Sequence, residues 1–186
     1  MKQLTFTVIL LLLSISFPTS LAARHKVPRY LNKESSVDMS NMNRIFLGWV
    51  DLEADAWALY DYKSKADWSD VIASLNADFV RALQATYLHG RTITAAKDKA
   101  DENSAGNDLY IKFSDIRIDD DNDHLILSIH FIDPKTNAEI ATIPVRPYYG
   151  NGRGLTGDLK AALEEVGTKL QVEVTGETPG KKKKRS

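Results

Sequence analysis

Apolar and polar positions alternate most regularly between Asn107 and Val145. Leu109, Ile111 and Phe113 share one parity, whereas Ile116 and Ile118 have the other. Period-two alternation turns one face of a strand to a core and the other outward. The change of parity therefore predicts one extra residue, a β-bulge or bend, near Ser114-Asp115. Beyond the acidic turn Asp119–Asp123, Leu125, Leu127, Ile129 and Phe131 recur at every second position, and Ser128 and His130 face the other way. The turn Asp133-Pro134-Lys135-Thr136-Asn137 leads into Ala138–Val145. Three strands joined by two short turns predict an antiparallel meander. Pro144 has no amide hydrogen to give and belongs at a sheet edge or near a strand end.

The period changes elsewhere. Across Asp67–Leu88, apolar Trp68, Val71, Ile72, Leu75, Phe79, Ala82 and Leu83 recur at three- and four-residue spacing, one stripe of a helix. Asp67 suits its N-cap, and Gly90 its stop. A second helix is expected from about Leu155 to Leu170, with Leu159, Leu163, Val166 and Leu170 as its stripe. Gly167 weakens that helix by about 1 kcal/mol relative to alanine. Val172–Val174 either continue it or form a short strand. Arg44–Leu52 is apolar in both parities, with Ile45, Leu47 and Trp49 on one side and Phe46, Val50 and Leu52 on the other. That pattern fits a central strand covered on both faces. Arg91–Ala96 reads as a short strand and Lys97–Gly106 as a surface loop. The expected fold is α+β: a single mixed sheet with an antiparallel three-strand meander, packed by two main helices, over residues 44–175.

The first residues are patterned differently. Met1-Lys2-Gln3 is followed by the apolar run Leu4–Phe17, then Pro18 and the small-residue sites of Ser20-Leu21-Ala22. This is the pattern of a secretory signal peptide over residues 1–22, cut after Ala22 or Ala23. The run is roughly 14 residues, against about 20 needed to span a bilayer. Residues 23–43 are polar and read as an extended lead-in. The 186 residues include no cysteine, which leaves neither a lipid-bearing cysteine nor a disulfide. The expected location is the periplasm or the medium, as a protein that is not a lipoprotein.

Charge separates the ends from the body. Setting aside Lys2 and the five cations of Lys181–Arg185, 18 basic residues face 25 acidic ones, a net of −7. Residues 176–186 read as a disordered basic tail. Lys181, Lys182, Lys183, Lys184 and Arg185 are suited to an anionic surface, but a solubilising end fits them equally. An acidic body does not fit a nucleic-acid-binding domain, so no nucleic-acid partner is expected.

Motif chemistry is sparse. Asp119, Asp121 and Asp123 are carboxylates at alternate positions, the arrangement calcium favours. The EF-hand template fails, because its glycine position is His124 and its bidentate glutamate position is His130. A solvated hairpin turn fits better, and no metal is assigned. Gly150-Asn151-Gly152-Arg153-Gly154 ahead of a helix exposes backbone amides to an anion, but lacks the Gly-Lys-Ser/Thr ending of a phosphate loop. His25, His89, His124 and His130 form no zinc-type pair, and no serine lies in a nucleophile-elbow motif. No cofactor and no catalytic residue is assigned. The residues suited to gripping a ligand or partner are Tyr148, Tyr149 and Arg153 in the aromatic-glycine loop, with Trp57 and Tyr60 in the aromatic segment.

Two stretches carry a family resemblance. Asn107-Asp108-Leu109-Tyr110-Ile111 resembles the aspartate-then-strand opening, and Phe131–Ile140 the valine-aspartate-x-x-threonine-glycine-glutamate hairpin, of small Gram-negative envelope domains similar to the TolB amino-terminal domain and the CsgG-like group. Asn137 replaces the hairpin glycine and tolerates a left-handed backbone. The resemblance spans roughly Arg44–Val174 and implies no catalytic residues. It implies an exported, non-catalytic binding or assembly module of the bacterial envelope with an envelope protein as partner. The alternative is a periplasmic small-ligand-binding or hydrolytic protein, with its site at the Gly-rich loop and His130, Arg153 and carboxylates converging there.

Overall fold

A computed structural model describes residues 38–52, 65–119, 124–148, 150 and 152–177. Five strands form one sheet in the order β2-β1-β3-β4-β5: β1 (Arg44–Leu47), β2 (Thr92–Ala95), β3 (Leu109–Asp119), β4 (His124–Asp133) and β5 (Ala138–Val145). β1 runs parallel to both β2 and β3, and β3-β4-β5 is the expected antiparallel meander. The helices α1 (Lys65–Ala82) and α2 (Leu155–Thr175) share one apolar core with the inner face of the sheet. Trp68, Ile72, Leu75, Phe79 and Leu83 from the first helical segment, and Leu159, Leu163, Val166 and Leu170 from the second, are buried there. The fold is the α+β architecture that the pattern predicts, with β5 and its Pro144 at a sheet edge.

Several boundaries differ from expectation. β1 stops at Leu47 rather than Leu52: the Gly48 amide still donates to the Ile111 carbonyl of β3 at 2.8 Å, but at Val50 the backbone turns to a helix instead. The Val50 amide donates to Asn76 Oδ1 at 2.9 Å, and Asn76 Nδ2 donates to the Val50 carbonyl at 3.1 Å and the Ile72 carbonyl at 3.0 Å. Asn76 thus does for Val50 what a neighbouring strand does elsewhere. Asp67 is not an N-cap. α1 begins at Lys65, which leaves Asp67 in the first turn, where its charge still suits the positive end. α1 widens into a π-turn over Leu83–Tyr87, where the Leu88 amide reaches back to Leu83, and the chain reverses at Gly90 with φ 84°. α2 continues through Val172–Val174 to Thr175.

Both hairpins carry a bulge. In β3 the register shifts between Ser114 and Arg117, and Asp115 takes φ 54°, which is the irregularity the parity change predicts. In β4-β5, Phe131 pairs with Ala141 and Ile132 with Glu139, so Ile140 is extra. Ile140 and Ala141 are both buried, and the insertion turns Glu139 and Thr142 to the same outer face. Asn137 takes φ 54°, in the left-handed region.

Asp108 fastens the start of β3 to β1. Its carboxylate accepts from the Asn43 and Arg44 amides at 3.2 and 3.0 Å and from Arg44 Nη2 at 2.8 Å. The Arg44 guanidinium and amide hold its carboxyl down to about 2. Because the group titrates lower in the folded than in the unfolded chain, its stabilisation is whole above pH about 4 and is lost as pH falls toward about 2. Asp108→Asn is expected to flatten that stretch of the stability–pH curve, read by urea denaturation across the same range. An unchanged acid limb would remove Asp108 from this role.

The outer face carries a smaller apolar cluster of Phe46, Ala96 and Tyr110, with Trp49 and Ile132 against it and no helical residue in it. The connection 97–107 crosses this face. Its Glu102 pairs with Lys112 of β3 at 2.9 Å, and its Asn107 accepts from Thr94 of β2 at 3.2 Å.

Candidate functional site

The densest polar constellation among the described residues lies on the outer face of the meander, around His130. Period-two geometry turns Lys112, Ser114, Ser128, His130 and Thr142 outward, and the two bulges bring Asp115 and Glu139 to join them. His130 Nε2 lies 2.8 Å from Ser114 Oγ. Its Nδ1 lies 2.7 Å from Glu139 Oε2 and 3.0 Å from Thr142 Oγ1. Ser114 Oγ donates to Asp115 Oδ2 at 2.9 Å. Hydrogen bonds from Ser114 and Ser128 hold the Asp115 carboxyl below the usual range, and bonds from Thr142 and His130 do the same for Glu139.

Serine, imidazole and carboxylate stand here in the connectivity of a hydrolytic triad. The Asp115 and Glu139 carboxylates can only accept. Nδ1 of His130 therefore donates to Glu139, and Ser114 Oγ lies between Asp115 and Nε2 of His130. The arrangement binds three strands together and presents a charged, half-exposed surface.

The residues singled out from sequence do not converge. Tyr148 is 44% exposed; its ring meets His124 edge-on at 5.7 Å, and its hydroxyl donates to the Gly150 carbonyl at 2.8 Å. Arg153 is exposed at the start of α2, where its amide donates to Asp158 Oδ1 at 3.2 Å. The chain's own carboxylate thereby takes an amide that an anion in the Gly-rich loop would need. The expected meeting of His130 with Arg153 does not occur: His130 draws its partners from β3 and β5. Asp119 accepts from Arg146 at 2.7 Å. Trp57, Tyr60, Tyr149, Asp121, Asp123 and Lys181–Arg185 lie outside the described residues. Sequence reasoning turned His130 outward but missed Glu139. The signal was present in Ile140-Ala141-Thr142-Ile143, where two adjacent apolar residues break the alternation.

Two open cavities flank Trp49 just past the carboxyl end of β1. One, about 440 Å³, lies toward α1 and is walled mainly by Leu47, Ala73, Ala77, Val80 and Ala95. The other, about 230 Å³, lies on the outer face and is lined by Gly48, Trp49, Asp51, Tyr110 and Lys112 together with the Lys99–Glu102 stretch of the connection. A Cβ on Gly48 would stand 3.3 Å from the Tyr110 ring, so glycine lets that ring lie against the backbone.

No family model and no curated protein matches this chain. Among solved structures it is similar to the PelC dodecamer from Paraburkholderia phytofirmans, with 16% identity over 74% of this chain and 94% of that one, and a TM-score of 0.34. It is also similar to a Helicobacter pylori protein described as a homolog of neuraminyllactose-binding hemagglutinin, with 13% identity over 77% of this chain and 86% of that one, and a TM-score of 0.35. Likeness at this level carries no argument about activity. No helix among the described residues is long and apolar enough to cross a membrane.

Proposed function

We propose that the chain is an exported, non-catalytic binding or assembly module of a bacterial cell envelope, related to the TolB amino-terminal and CsgG-like domains, with an envelope protein as partner. The single observation that supports the non-catalytic reading best is that Ser114, His130, Glu139 and Thr142 bond one another across β3, β4 and β5, so the polar cluster is spent on joining strands. Export is supported by the Leu4–Phe17 run and the small residues ending at Ala22. Exposed Tyr148, beside the Gly-rich loop, is the proposed contact.

A photo-crosslinking residue at position 148 tests the module in its native envelope, in the full chain and in a form ending at Gly180. One defined envelope protein crosslinked by both forms is the expected result. Capture that disappears with the tail would replace the module by electrostatic attachment to an anionic surface. The hydrolytic alternative is tested on Ser114. A serine-reactive fluorophosphonate is expected to leave the wild type unlabelled, and Ser114→Ala to match it in ester hydrolysis. Labelling at Ser114 that the variant abolishes would overturn the non-catalytic reading.

A further inference from the structure

The outer cavity beside Trp49 holds an unused polar group. Tyr110 is only 6% exposed, its ring packs edge-on against Phe46 at 5.4 Å, and it lines the cavity. Among the described residues nothing hydrogen-bonds its hydroxyl; burial and then the Glu102 carboxylate push it up to about 12, so it stays a donor. The ring is buried but the hydroxyl at its tip is open to the cavity, where water or a ligand group is left to meet it. Two ammonium–carboxylate pairs line it, Lys112 with Glu102 at 2.9 Å and Lys99 with Asp51 at 3.9 Å, and a third carboxylate, Asp101, accepts from the Lys97 and Asn103 amides. Such a rim repels an anion and offers a cation only carboxylates that are already paired or hydrogen-bonded. It suits a neutral molecule whose groups each donate and accept. Half-buried Trp49 adds an aromatic surface for an apolar C–H face. The volume, about 230 Å³, is below that of drug-sized sites and admits roughly one ring.

We infer that this cavity binds one neutral sugar ring of a glycan, with the Tyr110 hydroxyl hydrogen-bonded to a ring hydroxyl, the Lys112–Glu102 pair to its neighbours, and Trp49 under the apolar face. The inference deepens the binding-module reading by naming a ligand class, and uses a different surface from Tyr148. Its failure leaves the protein-partner test standing, and failure of that test leaves this one.

The test is amide and indole NMR of the ¹⁵N-labelled full chain, titrated with glucose, galactose and N-acetylglucosamine, and with glycine as a zwitterionic control. Affinity on the order of 10 mM to 1 mM is expected of one open ring site. At least one sugar should shift the Trp49 indole and the Gly48 and Tyr110 amides together, and glycine should not. Tyr110→Phe removes a hydroxyl with no protein partner, so it should fold unchanged while weakening the sugar about fivefold. Lys112→Met should weaken it as well. The inference is overturned if no sugar shifts these signals, if glycine alone does, if the shifts lie elsewhere, or if Tyr110→Phe binds as the wild type does.

Discussion

Asn76→Ala is expected to lower the unfolding free energy by about 3 kcal/mol, because it strands two buried backbone groups at once. The Val50 amide and carbonyl have Asn76 as their side-chain partner, at 2.9 and 3.1 Å, and Val50 is wholly buried. Each group left without a partner costs about 1–3 kcal/mol, whereas the lost asparagine contact alone would cost less. Asn76→Asp separates the two. It keeps an acceptor for the Val50 amide but gives up both donations, to Val50 and to Ile72. Both variants should move the urea midpoint with the slope unchanged. A loss below about 1 kcal/mol for Asn76→Ala would mean that the 48–52 stretch finds other partners, and the clamp would lose its importance.

Gly167→Ala should destabilise by about 1–2 kcal/mol, against the helix propensity that favours alanine by about 1 kcal/mol. The reason lies in the neighbouring segment. A Cβ at position 167 would stand 2.6 Å from Cδ2 and 2.8 Å from Cε2 of Tyr87, with Cγ at 3.2 Å. The clash reaches the base of the ring, so rotating its tip does not relieve it. The π-turn that carries Tyr87 packs against α2 at this point. Removing the ring should reverse the sign: in a Tyr87→Ala background, Gly167→Ala is expected to stabilise by about 1 kcal/mol. A double-mutant cycle measured by thermal and urea unfolding reads that reversal directly. Loss in both backgrounds would mean that Gly167 serves the backbone rather than the ring.

Those two residues mark where the sequence stops being readable. Strand alternation and the Trp68–Leu83 stripe report burial, and burial has a period; the meander, the first bulge and both helices follow from it. Gly167 registers in the pattern only as a weak point of its helix, because the ring that requires it comes from a residue 80 positions earlier. Asn76 looks like an ordinary polar interruption in α1, since the groups it satisfies belong to a loop. The His130 site was half legible. Parity turns the imidazole outward, but bringing in Glu139 depends on one inserted residue in the partner strand, and Asp115 reaches the cluster only because it accepts a left-handed backbone. The Tyr110 cavity was not legible at all, because its wall comes from a connection whose composition says only that it is solvated.

The bulge at Ile140 has a consequence for how this molecule keeps company with copies of itself. β5 forms a sheet edge, and an edge is a template on which stray strands aggregate. Within its eight residues the extra residue at Ile140 breaks the spacing of the ladder, and Pro144 supplies no amide. Glu139 adds a charge beside the break. A second chain aligning there would find neither a regular run of donors nor a neutral surface. The same insertion that completes the His130 cluster thus guards the margin of the sheet, and deleting it would expose that margin to fibre-like stacking.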